Sequence, residues 1–112
     1  MEVFPQYSTA LISLNLEEQQ RYGFVIGDSE GFVNLPLSIK GIRFSVFFLE
    51  KEDKIKMSFR SKGNFSVNEF SKKHFGGGGH LNAAGGDSKT SMNELIQQFR
   101  ELLPLYEKEL NE

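Results

Sequence analysis

The chain has 112 residues, of which 38% are hydrophobic and 25% charged, with a formal net charge of -2 and no cysteine. That length suits one domain, 1–112, with a continuous core, and the balance of apolar and charged residues argues against a disordered chain or a membrane protein. The opening Met1-Glu2-Val3-Phe4-Pro5 lacks the basic and apolar regions of a secretory signal, while the absence of cysteine excludes disulfides and thiolate chemistry and makes the cytoplasm the expected setting.

In chain order, the apolar run from Thr9 to Leu14 reads as a buried strand. Asn15, with Glu18 three residues later, marks a helix start, and Gly23 marks its end. Asp28-Ser29-Glu30 offers caps for a second brief helix through Phe32-Val33-Asn34-Leu35, stopped at Pro36. From Ile42 to Glu50 both faces are apolar, the pattern of a central strand. Lys51-Glu52-Asp53 turns the chain, and Ile55, Met57 and Phe59 alternate with Lys56, Ser58 and Arg60 on a returning strand with one polar face.

Ser66 and Glu69 have capping-box spacing, and Phe65 and Phe70 occupy the positions of a hydrophobic staple, so a helix starts at Val67. A glycine loop and a short strand follow it. Ser91 and Glu94 then repeat the box ahead of an apolar stripe from Met92 to Leu110, a long terminal helix bent at Pro104. The expected fold class is α/β: a mixed β-sheet with a central hairpin, packed by helices that include the long carboxy-terminal one.

The chemistry concentrates in Phe75 to Gly86, where six glycines and two alanines surround His80. Glycine removes the side-chain wall, so the amides of Gly76, Gly77, Gly78 and Gly79 can converge on an anion, and His80 can hydrogen-bond it or carry a proton near neutral pH. The stretch also ends the one basic segment: from Lys54 to His80 six lysines and arginines face a single acid, Glu69. Arg60, at a strand end, offers a fork that clamps a phosphate or carboxylate through two hydrogen bonds, and Asn68 and Asn82 offer hydrogen bonds to a base or ribose. His74 reads as a surface residue of the preceding helix.

Several familiar sites do not fit. A Walker A loop needs Gly-Lys-Ser/Thr where this chain has Gly79-His80-Leu81. A dinucleotide fingerprint lacks its third glycine. The few aspartates and histidines have no pairing suited to a two-metal centre, and no nucleophile elbow is present for a hydrolytic triad.

Taken together, Gly76-Gly77-Gly78-Gly79-His80-Leu81-Asn82-Ala83-Ala84-Gly85, Ile55 to Lys62 and Gly27 to Asn34 resemble the carboxy-terminal DHH-associated domain of DHH phosphoesterases. Within that superfamily the chain is most similar to the bifunctional oligoribonucleases that also dephosphorylate 3′-phosphoadenosine 5′-phosphate, the exopolyphosphatase-related group. The resemblance implies a substrate-binding domain whose partner is a catalytic domain carrying an Asp-His-His motif and manganese. That motif is missing here, so no cofactor and no catalytic residue are expected in this chain, and Met1 is expected to be an internal residue of a longer natural chain. By position, Gly76 to Gly79 and His80 would contact the phosphate, and Arg60 with Ser61 would hold the phosphate or terminal end of a short RNA or nucleoside bisphosphate. Similar loops occur in alanyl-tRNA synthetase carboxy-terminal domains and in cyclic-dinucleotide phosphodiesterases, which leaves a tRNA-binding module and a cyclic-dinucleotide domain as alternatives.

Overall fold

The alternation along 55–60 and the apolar runs before it become the middle of a six-stranded mixed sheet. The computed structural model describes residues 1–23 and 29–112, with only the backbone at 29 and 30. Within these, β1 (Glu2–Phe4), β2 (Thr9–Leu14), β3 (Phe44–Glu50), β4 (Ile55–Ser61), β5 (Gly78–His80) and β6 (Ala83–Ser88) lie in the order β1-β2-β3-β4-β6-β5. β2 and β3 run parallel, from Thr9 opposite Phe44 to Leu14 opposite Leu49. All other neighbours are antiparallel. The β2–β3 crossover carries α1 (Leu16–Arg21) and α2 (Ser29–Asn34), while α3 (Val67–Phe75) joins β4 to β5, and α4 (Met92–Leu102) and α5 (Glu107–Leu110) close the chain.

The helix starts follow the capping chemistry read from the sequence. Asn15 and Glu18 form both halves of a capping box, with the Glu18 amide donating to Asn15 Oδ1 at 2.8 Å and the Asn15 amide to Glu18 Oε1 at 2.9 Å. At α3 and α4 the serine half forms: Ser66 Oγ accepts from the Glu69 amide and Ser91 Oγ from the Glu94 amide. Phe65 and Phe70 make the staple, with ring centroids 6.1 Å apart. Pro104 ends α4 in a short 3-10 turn, Leu103–Tyr106, before α5 resumes. The expected caps at 28–30, and residues 27 and 28 of the family-like stretch, lie outside the described residues or side chains.

Packing assigns the two faces of the sheet different work. On one face Phe44, Val46, Phe48, Ile55, Met57 and Phe59 bury against Val67 and Phe70 of α3, Leu95 and Phe99 of α4, and Leu103 and Leu110 beyond it. Phe44, fully buried, meets Phe70 and Phe99 edge-on at 5.1 and 5.8 Å. Each such ring contributes about 2–3 kcal/mol by burial. On the other face the described residues include an apolar cluster of Ile12, Phe47, Leu49 and Val33, with Phe32 stacked on Phe47 at 5.8 Å. No helix among the described residues is long and apolar enough to cross a membrane.

Three expectations change. The central strand starts at Phe44 rather than Ile42, because the Phe44 amide bonds to the carbonyl of Ser8 at the foot of β2, leaving Ile42 buried just ahead of it. The amino-terminal Glu2–Phe4, where the sequence carries no strand pattern, pairs as the edge strand β1. The glycine run is not a loop throughout: 78–80 is β5, held in a hairpin against β6.

Candidate phosphate-binding face

Gly76 ends α3 with a left-handed cap, φ 67°, and its amide donates to the Ser71 carbonyl. That conformation is cheap only for glycine. Gly77 has no room for a side chain, because a Cβ there would sit 2.0 Å from the Gly85 carbonyl oxygen and 2.5 Å from Ser71 Oγ. The Gly77 amide donates to the Ser71 carbonyl at 3.2 Å, the Gly79 amide to Asn68 Oδ1 at 2.9 Å, and Ser71 Oγ to the Gly85 carbonyl at 3.0 Å. The amides of Gly76, Gly77 and Gly79 are therefore tied to α3, and the glycines serve first as a close-packing surface between helix and hairpin.

The hairpin tip is anchored at both of its residues. The Leu81 carbonyl accepts from the Val67 amide at 2.9 Å and the Asn82 carbonyl from the Ser61 amide at 3.1 Å. The Asn82 side chain donates through Nδ2 to Ser61 Oγ and to the Gly63 carbonyl, and Ser61 Oγ donates to the Phe65 carbonyl. Ser61, itself buried, and Asn82 thus clamp the β4–α3 connection and are not brought together with the other expected contacts.

Arg60 and His80 are brought together by the strand order. Arg60 on β4 stands opposite Ala83 on β6, and Ala83 stands opposite His80 on β5. Directly opposed residues share a face. Phe59 and Ala84 belong to the core face, so the Arg60–Ala83–His80 row lies on the other one. Two strand spacings put the Arg60 and His80 backbones about 10 Å apart, with the Ala83 methyl in the register position between them. Arg60 Nη1 donates to the carbonyls of Phe59 at 2.9 Å and Ala84 at 3.3 Å, which draws the guanidinium toward β6 and so toward His80. The His80 side is exposed. An anion over Ala83 would meet a guanidinium on one side and an imidazole on the other.

Other polar groups have different employment. His74 Nε2 lies 2.6 Å from the Tyr106 hydroxyl, and its pKa is lowered by burial and then by the neighbouring Lys73. The unfolded chain therefore binds the proton more readily than the folded one, so this group's contribution to stability is lost as pH falls from about 6.5 through the lower folded value. The expected result is a melting temperature that declines over that interval, with a shallower decline in His74→Gln. A groove of about 910 Å³ near the same end of the sheet includes Arg43, Lys62 and Lys73 but also Glu69, Glu109 and Glu112, and contains neither Arg60 nor His80. Its balanced charge suits a phosphate less well than the Arg60–His80 row. Among the described residues no three His, Cys, Asp or Glu side chains gather to hold a metal ion, so a dimanganese centre does not fit them.

Residues 19–111 match the model of the DHHA1 domain. The chain belongs to the DHHA1 domain family. This DHHA1 domain is 37% identical over 83 residues to a bifunctional oligoribonuclease and PAP phosphatase, NrnA, of Thermus thermophilus, covering 74% of this chain and 25% of that protein. It superposes on the crystal structure of an exopolyphosphatase-related protein from Bacteroides fragilis with a TM-score of 0.93 and 47% identity, over 99% of this chain and 33% of that one. The chain thus spans about a quarter to a third of these proteins. Likeness to the C-Ala domain of Aquifex aeolicus alanyl-tRNA synthetase (TM-score 0.55, 15% identity, 85% of this chain and 87% of that one) extends to the fold alone. The same holds for a pGpG-specific phosphodiesterase of Vibrio cholerae (TM-score 0.56, 14% identity, 93% of this chain and 34% of that one).

Proposed function

We propose that this DHHA1 domain grips the phosphate end of a short oligoribonucleotide or of 3′-phosphoadenosine 5′-phosphate and presents it to a catalytic DHH domain, the part expected to carry manganese. The observation that carries this reading is the Arg60–Ala83–His80 row, two phosphate-seeking side chains flanking one methyl on the sheet face opposite the main core. The guanidinium supplies charge-assisted hydrogen bonds, and the imidazole a further donor. The names of the relatives, an oligoribonuclease and PAP phosphatase among them, supply the ligand class. The chain's lack of cysteine supports a cytoplasmic setting.

Titrating the domain with 3′-phosphoadenosine 5′-phosphate while recording amide NMR shifts tests the grip. Movement at Arg60, Ala83 and His80 by millimolar ligand is expected, with a shallow salt dependence because few phosphates are held. A steep salt slope would favour a tRNA-type module instead, and no movement in this row would reject it as the site. Incubated with manganese and a diribonucleotide, the isolated domain is expected to release no product. Turnover at the rate of an intact phosphoesterase would show that the catalytic groups are in this chain.

A further inference from the structure

The α3 face toward the hairpin presents Asn68, Ser71 and Lys72 together, the i, i+3, i+4 neighbours of one helix side. Asn68 is spent on the Gly79 amide and Ser71 on the Gly85 carbonyl. Lys72 does something else. Its Cε and Cγ lie 3.4 and 3.6 Å from the point a Gly78 Cβ would occupy, so its methylenes rest on bare β5 backbone, and the residue is exposed. The ammonium makes no hydrogen bond or ion pair among the described residues. By contrast, Lys54 pairs with Asp87, and Lys56 stands opposite the same aspartate in the register.

We propose that Lys72, whose stem lies on β5 at Gly78, is a second-phosphate contact that makes the domain prefer ligands bearing two phosphate groups. The inference rests on the Arg60–His80 reading: with the first phosphate over Ala83, the next one along a nucleotide chain reaches the strand edge. Gly78 and His80 are about 7 Å apart along β5, so the stem lying on Gly78 brings the ammonium within reach of a ligand held at His80. The shared chemistry is a second phosphate, which is either a terminal monoester, as in 3′-phosphoadenosine 5′-phosphate, or the next diester of an oligonucleotide.

The test is calorimetric titration of this chain, wild type and Lys72→Met, with AMP, the dinucleotide ApA, 3′-phosphoadenosine 5′-phosphate and pApA, with Arg60→Ala as reference. Lys72→Met keeps the apolar stem and is expected to melt with the wild type, so a changed affinity reports charge rather than packing. Affinity for the two-phosphate ligands should fall about tenfold, with AMP and ApA unaffected. A fall for 3′-phosphoadenosine 5′-phosphate alone assigns the contact to a terminal monoester, and a fall for both extends it to diesters. Equal loss for all four ligands, or none, overturns the role of Lys72. If Arg60→Ala weakens AMP while Lys72→Met changes nothing, only this inference fails. If Arg60→Ala has no effect, or no ligand binds at millimolar concentration, the row reading fails and takes this one with it.

Discussion

Gly77→Ala should destabilise the domain by about 3 kcal/mol, among the larger effects expected of any single methyl addition here. The added carbon would sit 2.0 Å from the Gly85 carbonyl oxygen and 2.5 Å from Ser71 Oγ. Neither neighbour can step aside cheaply: Ser71 Oγ donates to that carbonyl, the Ser71 carbonyl receives the Gly77 amide, and β6 is fixed between β4 and β5. Relief therefore means breaking the helix–hairpin seam and leaving polar groups unpaired. Gly78→Ala is the control, since its methyl would meet nothing nearer than 3.4 Å and should cost about 1 kcal/mol or less. Urea denaturation of the two variants checks the difference. Equal costs would show that backbone crowding at Gly77 is not what constrains the run.

Arg60→Ala should lower affinity for 3′-phosphoadenosine 5′-phosphate by roughly 30-fold, the loss expected from about 2 kcal/mol of charge-assisted hydrogen bonding. The Arg60 guanidinium also donates to the carbonyls of Phe59 and Ala84, so melting curves are needed beside the affinities. Arg60→Lys should recover only part of the affinity, because an ammonium cannot offer the planar fork. His80→Ala should cost less, about tenfold. Calorimetry on the variants, with melting curves alongside, separates recognition from folding. Unchanged affinity in Arg60→Ala would remove the central contact from the proposed site.

The cap residues and the alternation of 55–60 made most of the architecture legible, because those signals are local: Asn15 with Glu18, Ser66, Ser91 and the Phe65–Phe70 staple each act within a few residues. β5 was not legible. A glycine run carries no side-chain pattern, and its strand character comes from pairing with β6 and from crowding by α3. Arg60, Ser61, His80 and Asn82 could be nominated by residue type and by family resemblance, but not sorted. Their sorting depends on register, which puts Arg60 and His80 in one row and turns Ser61 and Asn82 into a clamp. The employment of the glycine amides was equally hidden, since their acceptors, Asn68 and Ser71, lie on a helix whose rotation the sequence does not state.

The doubly anchored hairpin tip bears on how this domain would close on a ligand. With Leu81 tied to the start of α3 and Asn82 to both β4 and the connection after it, the tip cannot swing as a lid without unravelling the helix start and the sheet end together. Capture is then a matter of whole-body displacement. On the proposed function, the domain would move as a rigid jaw, and the compliance needed for substrate entry and product release would reside in a hinge elsewhere rather than in the hairpin tip.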